Sequence, residues 1–152
     1  MRLTTNTKVI RGSADVAPVF REILNAEDPI DQDKEHFWCC CLNTKNRILR
    51  IELITLGLLD QTIVHPREVF RAAIGCAAKC IILAHNHPSG DPTPSDMDIT
   101  LTQRLINCGL LLGIQVLDHV IVTGTNAFWS MQEHTSYGEP GENLNWAGQQ
   151  VP

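Results

Sequence analysis

Six apolar residues in unbroken succession, Phe37 to Leu42 (FWCCCL), set the strongest limit on the fold. A continuous apolar run of this kind reads as a strand covered on both faces. Asn43 to Asn46 form a turn, and Arg47 to Leu56 (RILRIELITL) alternate well enough for a second strand, so the two predict an antiparallel hairpin. Cys80 to Ala84 (CIILA) is a second short β-rich run, expected as a central strand. Helices are expected between these runs. Asp15 to Ala26 carry Val16, Val19, Phe20, Ile23 and Leu24 at helical spacing, and Asp28-Pro29 breaks the pattern. His65-Pro66 opens a second helix, with His65 as its cap and Val69, Phe70, Ala73, Ile74 and Ala77 as its apolar face. Ser95 caps a third, which ends at Gly113 and buries Leu101, Leu105, Ile106, Leu110 and Leu112. Ile114 to Val122 and Phe128 to Met131 read as further strands, and Gly57 to Val64 as a loop or extended segment. Strands interleaved with helices predict an α/β layered domain with a mixed sheet.

Length and charge narrow the function classes. A chain of 152 residues has room for a full core without disulfides or a structural metal. The formal net charge of −5 argues against a general electrostatic binder of nucleic acid. Arg67, Arg71, Lys79 and Arg104 are too scattered to make a basic groove. No apolar run approaches the roughly 18 residues of a membrane span, and the first residues show no signal-peptide stretch. A cytoplasmic protein is expected. From Gly138 the composition turns to Gly, Pro, Asn and Gln, which predicts a loosely held tail.

Of the six cysteines, Cys39, Cys40 and Cys41 are consecutive, so neighbours on one strand point to opposite faces and the three do not share a site. No C-x-x-C pair exists, and buried thiols in a reducing compartment are expected. His36 and His134 are expected at the surface, and Trp38, Trp129 and Trp146 in core or tail packing. Asp118-His119 reads as a hydrogen-bonded pair within a strand, with the orientation of a metal ligand as the alternative.

The chemistry concentrates in residues 84–98, AHNHPSGDPTPSDMD. His85 and His87 stand two apart at a strand end, where extended backbone turns both imidazoles to one side. Asp98 follows eleven residues after His87, near the start of the next helix, and the Pro- and Gly-rich loop between them allows that helix end to fold back. Two His and one carboxylate leave a tetrahedral zinc ion an open position, the arrangement of a catalytic site. Such an ion lowers the pKa of a bound water to around 7. A carboxylate beside that water is needed to carry the proton. Glu35 is well placed in sequence, with Glu52 and Glu68 as competitors. Ser95 is a candidate donor to a developing oxyanion, although Ser95-x-x-Asp98 is also a capping-box pattern.

H-x-H-P-x(6)-S-x-x-D resembles the JAMM motif of the MPN+ (JAB) metallopeptidase superfamily. The wording is closer still to its bacterial RadC-like branch. That branch is marked by V-H-P-R-E-V, here residues 64–69; by A-H-N-H-P-S-G-D-P-x-P-S-x-x-D, here residues 84–98; and by L-D-H-x-I-V, here residues 117–122. The similarity runs from about Glu35 to Met131.

The resemblance implies the MPN fold, a mixed β-sheet flanked by helices and similar to cytidine deaminases. It implies His85, His87 and Asp98 as zinc ligands, Ser95 as the serine that assists the tetrahedral intermediate, and Glu35 as the upstream glutamate. The domain it implies spans 30–137, with an N-terminal helical extension at 1–29 and a tail at 138–152. The implied reaction is zinc-dependent hydrolysis of a peptide or isopeptide bond in a peptide or protein substrate. Two rivals stand beside it: a non-catalytic MPN scaffold, and a DNA-associated factor in repair or recombination. The second rests on family association, which the charge does not support. The helix-hairpin-helix region that precedes longer RadC-like proteins is not expected here. Deaminase chemistry lacks its H-x-E and P-C-x-x-C signature.

Overall fold

The computed structural model describes residues 8–57 and 64–134. The expected tail, Trp146 and most of the stretch between Gly57 and Val64 lie outside the described residues.

The hairpin forms as expected. Strand β1 (Glu35–Leu42) pairs antiparallel with β2 (Ile48–Gly57). On its other side β1 pairs antiparallel with β3 (Cys80–Asn86). β3 runs parallel to β4 (Gln115–Val122), and β5 (Phe128–Ser130) closes the order β2-β1-β3-β4-β5. The unbroken apolar runs become central strands: Phe37 to Leu42 and Cys80 to Ala84 are buried throughout.

Helices cover both faces of this mixed sheet. Helix α1 (Ser13–Asn25) packs Val16, Phe20, Ile23 and Leu24 against Trp38, Cys40, Ile82 and Val120. A single turn, α2 (Pro29–Gln32), leads into β1. On the opposite face α3 (Pro66–Gly75) and α4 (Asp96–Leu112) pack Val69, Phe70, Leu101 and Leu105 against Phe37, Cys39, Leu83 and Ile121. Consecutive cysteines therefore part as strand alternation requires: Cys39 and Cys41 enter one core layer, Cys40 the other. All six cysteines are free thiols, and burial pushes Cys76 and Cys80 up to about 11. Protonated, desolvated thiols are poor metal ligands and behave as small apolar groups.

Several expectations are corrected. His36 is fully buried, stacked on Trp38 at 5.0 Å between ring centres, because it lies in a strand covered on both faces. Ile74 is 60% exposed, since the buried arc of α3 is centred on Val69 and Ala73 and Ile74 projects well to one side. Ala77 lies beyond the helix end, at a positive φ. Leu110 and Leu112 are half-exposed. The last turn of α4 instead packs through Gly109, where a Cβ would sit 2.3 Å from the Ile114 carbonyl oxygen. His65 occupies the N-cap position of α3 but makes no side-chain capping bond. Gly113 ends α4 in the left-handed conformation, as expected.

Candidate metal centre

His85 is the penultimate residue of β3, a strand buried along its whole length, and His87 lies one residue past the strand, still tied to β4 by its N–H to the Val122 carbonyl at 3.0 Å. The loop then turns through Gly90, whose φ of 87° suits glycine. It continues through Asp91, whose side chain accepts from the Thr93 N–H at 2.9 Å. Ser95 caps α4 through a full capping box: its Oγ accepts from the Asp98 N–H at 3.1 Å, and the Asp98 carboxylate accepts from the Ser95 N–H at 2.8 Å. Capping and convergence go together, because the box fixes the carboxylate where it meets the histidines.

The three side chains meet at one point. The Nε2 atoms of His85 and His87 are 3.0 Å apart, and they lie 3.3 and 3.2 Å from the two Asp98 oxygens. A tetrahedral ion bonded at roughly 2.0–2.1 Å holds its ligand atoms about 3.3 Å apart, so the spacing fits zinc. Among the described residues this is the only cluster of three or more His, Cys, Asp or Glu with ligand atoms within 4.8 Å of one another. The His87 Nδ1 faces the Asp91 carbonyl oxygen at 2.8 Å and must donate to it. Neutral His87 therefore shows a bare lone pair at Nε2, toward the other ligand atoms.

The electrostatics follow from the packing of the three side chains. Burial works to lower the proton affinity of His87, but the Asp98 carboxylate and the Asp91 carbonyl outweigh it and raise His87 above its ordinary range. Burial works to raise the Asp98 carboxyl, but His85, His87 and the Ser95 N–H outweigh it and hold it far below the usual carboxylate range. His85 is fully buried, and desolvation lowers it despite Asp98.

The three candidate glutamates separate by position. Glu35 opens β1, on the same face as Phe37, which stacks on His85 at 6.2 Å. It is partly buried, and its charge raises the proton affinity of both His85 and His87. Glu52 lies opposite Cys39 and is ion-paired with Arg50. Glu68 sits in the first turn of α3 and pairs with Arg71 at 3.3 Å.

Two residues escaped sequence reasoning. Asn86, between the histidines, points to the other face by strand alternation. Its Oδ1 accepts from the His36 N–H at 2.6 Å and its Nδ2 donates to the Lys34 carbonyl at 3.0 Å, so one side chain holds the backbone on both sides of Glu35. Thr102 lies one helical turn after Asp98, and its hydroxyl donates to the Asp98 carbonyl at 2.6 Å and contacts His119 Nδ1. His119 Nε2 is 2.7 Å from His85 Nδ1. Asp118 bonds its neighbour's N–H, as the strand-pair reading expects, but its carboxylate turns away to the Ser130 hydroxyl at 2.7 Å and the Gln132 N–H at 3.1 Å.

A mixed five-stranded sheet between helices, with H-x-H at a strand end and an aspartate in the following helix start, defines a JAB/MPN-type domain. A family model of the RadC-like JAB domain matches residues 10–136, and the chain belongs to that family. It is 55% identical over 100 residues to a UPF0758 protein of Desulforudis audaxviator, covering 66% of this chain and 43% of that one. A UPF0758 protein of Desulforamulus reducens is 55% identical over 106 residues, covering 70% and 46%. One from Caldanaerobacter subterraneus is 61% identical over 89 residues, covering 59% and 38%. The chain spans less than half the length of these curated relatives. Their names specify no reaction.

Proposed function

We propose that this domain is a zinc-dependent hydrolase that cleaves a peptide or isopeptide bond in a peptide or protein substrate. The observation that carries the reading is the convergence of His85 Nε2, His87 Nε2 and the Asp98 carboxylate at metal-ligand spacing. These three residues would hold the ion. Bound there, zinc supplies Lewis acidity that brings the pKa of a coordinated water to around 7 and polarises a carbonyl. Glu35 takes the proton from the attacking water and returns it to the leaving amine. Its partial exposure keeps it in reach of water, and its effect on both histidines supports its assignment over Glu52 and Glu68. Ser95 donates to the developing oxyanion. Its Oγ already accepts from the Asp98 N–H, which leaves its own proton to give.

The cytoplasm is the compartment this reading assigns, in keeping with six free cysteines. Among the described residues no helix is long and apolar enough to cross a membrane.

The test is hydrolysis of linear and isopeptide-linked peptide libraries by zinc-loaded protein. Glu35→Gln should lower turnover by about 10²–10⁴-fold while zinc is retained. Cleavage that survives both Glu35→Gln and chelation would end the reading. Capture of a partner with no cleavage, unaffected by His87→Ala, would favour a scaffold.

A further inference from the structure

The hydrogen bonds behind His85 have only one consistent direction. The carbonyl oxygen of Asp98 can only accept, so the single proton of the Thr102 hydroxyl goes to it. Thr102 Oγ1 must then accept from His119, which places the His119 proton on Nδ1. A neutral His119 is left with a lone pair on Nε2, and this faces His85 Nδ1 at 2.7 Å. His85 must donate from Nδ1, which strips its Nε2 of a proton. Both rings are buried, so water does not compete for these bonds.

The fold is built to bring these groups together. β3 and β4 are in parallel register, Ile81 opposite Val116 but Ile82 opposite Asp118, so β4 holds one extra residue. This bulge puts Leu117 and Asp118 on the α1 side of the sheet and turns His119 toward His85 and α4. α4 then supplies two parts of one assembly: the Asp98 carboxylate, and one turn later the hydroxyl that anchors the chain of protons.

We propose that Thr102 and His119 are positioning residues that hold His85 in its Nδ1–H tautomer, so that Nε2 is a bare ligand before an ion arrives. The inference deepens the metal-site reading and rests on it. Free histidine favours the opposite tautomer, with the proton on Nε2, where it would block the ligand position. An isosteric Thr102→Val removes the anchor. His119 is then free to carry its proton on Nε2 and donate it to His85 Nδ1, which drives the His85 proton onto Nε2.

Nitrogen-labelled histidine in metal-free protein at mildly alkaline pH reports the protonated nitrogen of each ring. Wild type should show His85 protonated at Nδ1. Thr102→Val should shift that proton toward Nε2 and weaken zinc binding, read by competition with a chromophoric chelator, about 10–100-fold. Thr102→Ser should restore both. A wild-type His85 protonated at Nε2 overturns the proposal, and that spectrum decides even if Thr102→Val does not fold. So does a Thr102→Val protein whose tautomer and zinc affinity both match wild type; tight zinc binding would then leave the metal reading standing. If the tautomer shifts as expected but no form binds zinc, the relay stands and the metal reading fails.

Discussion

Asn86→Ala isolates the part of the site that places Glu35. The Asn86 side chain is 1% exposed and bonds the backbone on both sides of Glu35, at 2.6 Å to the His36 N–H and 3.0 Å to the Lys34 carbonyl. Each is worth about 1 kcal/mol net, and a buried N–H left without a partner costs about 1–3 kcal/mol more. The expected loss is therefore about 3–5 kcal/mol, at or below the lower end of the 5–15 kcal/mol or so of a typical domain, and circular dichroism checks that the variant folds before turnover is read. The His87 and Asp98 side chains are held by other bonds, to the Asp91 carbonyl and the Ser95 N–H. Urea unfolding should show the lowered midpoint at unchanged slope, while zinc competition gives an affinity close to wild type. Turnover should fall up to about 100-fold, because the proton carrier has lost its fixed position. A stability change under about 0.5 kcal/mol, the scale of an ordinary surface substitution, would refute the clamp. So would a loss of zinc equal to that of His87→Ala.

Further outcomes are expected. Gly109→Ala should destabilise by about 1–3 kcal/mol in thermal or urea unfolding, because its Cβ meets the Ile114 carbonyl. Glu52→Gln and Glu68→Gln should leave hydrolysis near wild type in the assay in which Glu35→Gln is expected to lower turnover; a large loss from either would displace Glu35. Burial pushes the Asp118 carboxyl from 3.8 up to about 6. Between those values the folded chain holds a proton that the unfolded chain has released, so this group's contribution falls as pH rises through that window. The change is about 3 kcal/mol in all and flat above it. Urea unfolding across that range should show the slope, and Asp118→Asn should remove it.

Much of this was legible in the sequence for a definite physical reason. Unbroken apolar runs have one economical home, the centre of a covered sheet, and Phe37–Leu42 and Cys80–Ala84 are found there. His85, His87, Ser95 and Asp98 were legible because strand alternation and a capping box are local rules. The faults came where a local rule ended. His36 reads as a surface residue from its polar neighbours, but it is buried by the stack on Trp38 in a strand paired on both sides. The apolar spacing of α4 continues to Leu110 and Leu112, but the last turn packs through Gly109 and leaves both half-exposed. Thr102 and the inward turn of His119 depend on a bulge between β3 and β4, which no single segment announces.

The central claim is that His85, His87 and Asp98 hold zinc, and metal content tests it most directly. Protein purified without a metal-binding tag should carry near-stoichiometric zinc by mass spectrometry. His87→Ala and Asp98→Ala should lose it while remaining folded. A well-folded wild type that takes up no zinc even when zinc is supplied would contradict the account.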